Sequence, residues 1–280
     1  MKRTRHINDN SVIAMKNNII TTIANLSVTQ SRLFQYILAH YDSRDGKNYT
    51  YETTVKELKE FFGVDYQATW TVVKAAMKQL GSMPLEWREG NAQHFDNWFT
   101  GVTYFAGSGK MQFRINKDAE PFFLKLKSFF TCYRLGATKK FTKAASFKLY
   151  LNLSQWANMT KWDVDLDELK YRLGVVEKYP AYKDFRRWIL DPAVEEINEH
   201  SDLLVDYIPT KENRWVVGLL FRIKRKTDVR AAECKQLHET NKMLDEGKND
   251  TENDNYIKPL FGQMFLDDVS EKTNRKRGEP

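Results

Sequence analysis

The chain has 280 residues, with 44 Lys and Arg against 37 Asp and Glu, a formal net charge of +7. That length exceeds one ordinary hydrophobic core and predicts two domains; 41% hydrophobic and 13% aromatic residues exclude wholesale disorder. No apolar run approaches the roughly 20 residues of a membrane span, and the stretch Met1–Ser11 has no apolar signal region.

Taken in chain order, residues 1–11 read as a flexible arm. Ser27 and Gln30 form a capping box before Leu33, Phe34, Ile37 and Leu38 at helical spacing. A β-like stretch Tyr49–Tyr51 precedes a second box, Thr54 and Glu57, opening a helix over Val55–Phe62 that Gly63 ends. Asp65 is placed to cap a third helix that closes at Gly81. Strands are expected at Leu85–Arg88, Phe95–Phe105 and Met111–Ile115. The second half repeats this order. An amphipathic helix over Phe141–Ala157 is followed by an extended Asp163–Asp165 and a helix Leu166–Leu173 stopped at Gly174. A helix Tyr182–His200, interrupted or kinked at Pro192, leads to strands at Leu203–Ile208 and Arg214–Ile223. A helix-turn-helix followed by a β-hairpin, twice in one chain, predicts an α+β protein of two tandem winged-helix domains. They span residues 12–128 and 129–226, and residues 227–280 form a largely disordered tail.

The charge divides along the same line. Residues 227–280 hold nine Lys and Arg against twelve Asp and Glu, a net of −3, which leaves +10 for residues 1–226. All seven Trp lie before residue 227. A basic, aromatic-rich body predicts an acidic partner, nucleic acid being the commonest. Within the tail, Tyr256–Leu266 is the stickiest stretch, either a peptide for a partner protein or a segment that packs back on the body. The two cysteines, Cys132 and Cys234, are too few for a disulfide scaffold or a zinc site and read as buried or idle thiols.

Helical projection nominates contact residues. In the first unit's third helix Val73, Ala76, Met77 and Leu80 face inward, leaving Gln67, Thr71, Lys74 and Lys78 on the opposite side for bases and phosphates. A plain solvated face gives the same pattern. In the second unit Phe185, Ile189, Ala193 and Ile197 turn inward, so Lys183 and Arg187 point out and Arg186 lies nearer the edge. Arg at such a place pairs with guanine O6 and N7. Lys139, Lys140, Lys143 and Lys148 surround the start of that unit's first helix and suit phosphates. Tyr182, Lys211, Arg214, Arg222 and Lys224 supply further backbone contacts around the helix start and the wing.

Catalytic constellations are mostly absent. His6, His40, His94, His200 and His238 are isolated, without metal-ligand spacing. Gly107–Lys110 resembles the end of a phosphate loop, but Tyr104 stands where glycine is needed and Met111 where Ser or Thr is needed, so a hairpin turn is expected. These residues predict a DNA-binding protein rather than an enzyme, with no cofactor or metal.

The stretch Phe141–Arg225 resembles the C-terminal half of plasmid replication initiators of the Rep family, the tandem winged-helix proteins that bind iterons. The residues that carry this are Phe147–Tyr150 with Trp156, Val164–Leu169, Leu173 and Gly174, Tyr179, Tyr182–Arg187, Leu190–Ala193, Glu195–Asn198, Val205–Tyr207 and Leu220–Ile223. Asn17, Asn18, Leu33–Leu38, Val55–Gly63 and Met77–Leu80 extend the similarity to residues 12–226. The resemblance implies a cytoplasmic bacterial initiator, associated with the plasmid and nucleoid, that binds direct repeats in double-stranded origin DNA. It also implies opening of an A·T-rich segment and recruitment of the host replicative helicase and host initiator, with no membrane partner. A dimer would repress its own gene and a monomer would bind iterons, the first domain's strands Leu85–Ile115 carrying the dimer interface. Lys183, Arg186 and Arg187 would enter the major groove. The alternative is a winged-helix transcriptional repressor without initiation activity.

Overall fold

The structure, a computed structural model, describes residues 7–20, 23, 25–40, 49–63, 70–89, 91–122, 126 and 130–226. The Gln67, Asp65 and tail expectations lie outside these. The first unit runs α1 (Val28–Ala39), β2 (Thr50–Thr54), α2 (Val55–Phe62), α3 (Trp70–Gly81), β3 (Pro84–Glu89), β4 (Ala92–Asn97), β5 (Phe99–Phe105) and β6 (Lys110–Ile115), preceded by β1 (Val12–Lys16). After β7 (Phe130–Arg134) the second unit runs α4 (Ala144–Trp156), β8 (Lys161–Asp165) and α5 (Leu166–Leu173). There follow α6 (Tyr182–Phe185), a π turn (Arg186–Leu190), α7 (Asp191–His200), β9 (Leu203–Glu212) and β10 (Trp215–Arg225).

The two units share one topology. Each has an antiparallel sheet whose middle strand is the last in sequence: β2-β6-β5 in the first unit and β8-β10-β9 in the second. The β3–β4 hairpin is extra and belongs to the first unit alone. The expected strand Phe95–Phe105 is therefore two strands, broken at Trp98. There the Trp98 N–H donates to Met83 O at 3.1 Å and its carbonyl accepts from Asn116 N–H at 2.9 Å. Its buried indole meets Phe34 edge-on at 5.4 Å. Anchoring that side chain turns the chain out of the hairpin and into the wing sheet.

Local sequence explains most element ends. Both capping boxes form, with Gln30 N–H on Ser27 Oγ at 3.4 Å and Glu57 N–H on Thr54 Oγ1 at 3.1 Å. The second helix of each unit has eight residues and ends on a left-handed glycine, Gly63 at φ 63° and Gly174 at φ 70°. There a side chain would be strained.

Two helices depart from expectation. Helix α4 is not amphipathic: Ser146, Phe147 and Leu149–Ser154 are all buried, because the helix sits between the two units. The helix over residues 182–200 is not interrupted at Pro192; it widens one turn earlier. Proline has no N–H and its ring crowds the carbonyl four residues back. The Asp191 N–H donates to Arg186 O, five residues back, which gives the π turn.

The units are joined by more than a linker. Strand β7, placed in the second domain by the boundary at residue 129, pairs with β1 of the first in the register Ala14↔Cys132. Arg32 Nη2 donates to Phe141 O at 2.8 Å, and Thr138 Oγ1 to Gln35 Oε1 at 2.7 Å. Tyr133 and Tyr150 meet edge-on at 5.7 Å. Residues 7–11 are not a free arm: Ile7 is buried, and Ser11 O and Asp9 O accept from the N–H groups of Leu135 and Gly136. Those hydrogen bonds offset the chain entropy of the segment. Cys132 is buried within β7, paired with β1. Cys234 lies outside the described residues.

Candidate nucleic-acid interface

Lys183, Arg186 and Arg187 are all exposed along α6 and the π turn. Their settings differ. Arg186 Nε donates to Asp191 Oδ2 at 3.1 Å. Residues five apart lie about 140° apart around a regular α-helix, so this pair meets because of the π turn. The Tyr207 hydroxyl, from β9, donates to the other Asp191 oxygen. Burial and the hydrogen bond to Asp191 push the Tyr207 phenol above its ordinary range, and burial also raises Tyr182 beside it. The wing strand thus fixes Asp191, and Asp191 fixes Arg186. Lys183 and Arg187 have no acidic partner among the described residues. The Arg187 guanidinium lies over the exposed Trp188 ring, 4.9 Å from its centroid.

The cations expected on phosphates divide into held and open. Lys139 Nζ is 3.0 Å from Asp9 and 4.7 Å from the Phe61 ring centroid, so it ties the second unit to the first. Lys148 turns inward: its Nζ donates to Leu173 O at 3.1 Å, where the last carbonyls of α5 need donors. Burial, with Lys178 nearby, pulls the Lys148 pKa down to about 8. Arg222 makes a two-bond pair with Asp206, both distances 2.6 Å. Lys143 Nζ lies 3.4 Å from Glu196. Lys140, Lys211, Arg214 and Lys224 are exposed, and none has an acidic partner among the described residues. Arg214 stands over the exposed Trp215 ring at 5.2 Å, at the wing turn.

Glu196 also occupies the amino-terminal end of α4. Its carboxylate accepts from Thr142 N–H at 2.9 Å, Thr142 Oγ1 at 2.5 Å and Lys143 N–H at 3.2 Å. Burial pushes its pKa up, but these donors and the nearby Ser146 hydroxyl outweigh that and hold it below the usual carboxylate value. The orphan N–H groups that would welcome a phosphate are thus already served by a protein anion.

On α3 the buried stripe is Val73, Ala76, Met77 and Leu80, as projected, and Thr71, Lys74 and Lys78 are exposed. The Gly107–Gly109 segment is the turn between β5 and β6, with left-handed Gly107 and Gly109. At its end Lys110 pairs with Glu52 at 2.8 Å and lies over Phe105 at 5.5 Å. Among the described residues no group of His, Cys, Asp and Glu could hold a metal ion, and no helix is long and apolar enough to cross a membrane.

Sequence reasoning missed Asp191, Tyr207 and Glu196 as supports. Asp191 and Glu196 looked like ordinary acids on a helix; the one signal was Asp191 beside Pro192, which marks where helical register changes. Trp188, an aromatic among charged residues, was a plainer signal.

The model for the Initiator Replication protein WH1 domain matches residues 12–154, and that for the Initiator Rep protein WH2 domain matches residues 165–223. All but the last two residues of helix α4 therefore fall within the first match, although topologically the helix opens the second unit. A Replication initiation protein of Escherichia coli is 22% identical over 184 residues, 64% of this chain and 57% of its own length. The chain thus spans little more than half of that relative. The PI protein of Escherichia coli is 22% identical over 259 residues, covering 79% of this chain and 85% of its own. Among solved structures, a Pi initiator protein in complex with iteron DNA superposes with a TM-score of 0.69 at 22% identity, covering 78% of this chain and 98% of that one. The chain belongs to the initiator replication protein family, with its WH1 and WH2 domains in tandem.

Proposed function

We propose that the protein is a plasmid replication initiator that binds direct repeats in double-stranded origin DNA and promotes opening of a neighbouring A·T-rich segment. It then recruits the host replicative helicase and host initiator; as a dimer, it represses its own gene. The observation that carries this reading is the pair of winged helices built on one plan, each exposing cations on its third helix (in the second unit only on its first turns), in a chain of the initiator family. Base reading falls to Lys183, Arg186 and Arg187. Lys140, Arg214 and Lys224, with Lys143 beside Glu196, contact the phosphates, and Thr71, Lys74 and Lys78 serve a second groove or backbone.

Footprinting of the full chain on origin DNA tests it: several tandem direct repeats are expected, and a lone inverted repeat points to a repressor. Arg187→Ala is expected to lose about 1–3 kcal/mol of discrimination at one base pair. Lys74→Ala weakens all duplexes alike and lowers the salt slope by about one. Equal losses on cognate and random DNA for Arg187→Ala count against its role.

A further inference from the structure

Helix α6, the π turn and α7 display a large apolar side chain where a merely solvated face would be polar. Trp188 is 59% exposed. Regular helical spacing puts position 188 three residues on from Phe185, on the stripe leading to the core. The π turn shifts that frame, so Leu190 is buried instead and Arg186, Arg187 and Trp188 stand out as three consecutive exposed residues. An indole left in water forgoes the burial of one of the largest apolar surfaces available to a side chain, and π turns recur at functional sites.

The exposed ring is not isolated. The Arg187 guanidinium covers it at 4.9 Å. Stacking holds that planar fork in place, so less side-chain freedom is lost when it meets a further ligand. Arg186 is engaged by Asp191, whereas no carboxylate pairs with Arg187 among the described residues. A rigid guanidinium beside an apolar edge matches a base-pair surface better than a phosphate, which would place charged oxygen against the indole.

We propose that Arg187 and Trp188 form one reading unit for a two-base-pair step in the major groove. The guanidinium forks onto O6 and N7 of a guanine, and the indole edge packs on the C5-methyl of the neighbouring thymine, the apolar group that major-groove edges offer. This rests on the reading of α6 and the π turn as the DNA-reading element.

The test uses the full chain and a duplex it selects from a random-sequence pool, with each thymine replaced in turn by uracil, which removes only the methyl. At one position uracil is expected to weaken wild-type binding about fourfold, the worth of one buried methyl. Trp188→Ala weakens the thymine duplex by a similar factor and no longer responds to uracil there; Trp188→Phe keeps the response. Trp188→Gln, a polar residue at an exposed position, repeats the measurement if the alanine variant folds poorly. A Trp188→Ala protein with the wild-type uracil penalty at every position overturns the proposal, as does one that binds like wild type, the outcome expected if Trp188 docks a protein. If the wild type selects no duplex, the DNA-reading assignment fails and this unit with it. If it selects one and no methyl depends on Trp188, only the unit fails.

Discussion

The third helices of the two winged units occupy the same place in the same topology, yet they obey different frames. Helix α3 is regular: Val73, Ala76, Met77 and Leu80 face the core and Thr71, Lys74 and Lys78 face out, as 100° spacing dictates. In the second unit Pro192 removes one N–H, the helix widens over Arg186–Leu190, and the frame slips by a residue. Leu190 is then fully buried while Ile189, expected inward, is only partly buried against the core; Ala193 and Ile197 stay inward as projected, and Arg186 reaches Asp191. The same cations face out as in a regular helix, but the π turn changes how firmly one of them is held: Arg186 is paired, Lys183 and Arg187 are not. The first unit differs in another way, through its added β3–β4 hairpin, so each unit departs from the shared plan at one point.

The largest expected effect probes how the second unit is anchored. Glu196→Ala leaves the Thr142 and Lys143 donors at the start of α4 unserved and is expected to destabilise the protein by about 2–3 kcal/mol. Glu57→Ala in the exposed capping box of α2 removes about 1 kcal/mol. Chemical denaturation measures both, and equal losses would erase the contrast between a tertiary and a local cap. The pH dependence has a fixed sign. The Glu196 carboxyl lies lower when folded than its ordinary 4.5, so its contribution is complete above that value and is lost as pH falls through the folded one. Glu196→Gln should flatten that acid limb.

A smaller effect addresses the frame itself. Pro192→Ala restores an N–H and lets the helix regularise, opening the Arg186–Asp191 pair. Discrimination between cognate and altered repeats is expected to fall about tenfold, within the roughly 1–3 kcal/mol range for one base pair, while affinity for random DNA holds. Unchanged discrimination, measured by competition binding, makes the π turn a matter of packing alone.

Smallest in its effect on DNA binding is Lys148→Met. With a folded pKa near 8 against an ordinary 10.5, Lys148 releases its proton earlier when folded than when unfolded. Stability therefore rises with pH between about 8 and 10.5, and the methionine variant should lack that rise in pH-resolved thermal melts. Random-DNA affinity should stay within about twofold, because the ammonium points at Leu173 O rather than outward. A larger drop would return Lys148 to the phosphate-contacting set.

Much of this protein is legible in its sequence. Ser27 with Gln30, Thr54 with Glu57, and the stops at Gly63 and Gly174 are local devices, satisfied within a few residues of themselves, and they mark the repeated helix order. The α3 face followed from periodicity alone. What needed tertiary structure was everything set by partners far along the chain. The pairing of β1 with β7 across a proposed domain boundary, the burial of α4 on nearly all sides, and the split of a strand at Trp98 depend on contacts 15 or more residues apart in sequence. The same holds for the cations. Sequence determines where Lys139, Lys148 and Arg222 lie on their elements, but Asp9, Leu173 and Asp206 decide that each is already occupied. A charge in a sequence is a capacity to attract, and only the folded chain determines whether that capacity is already met.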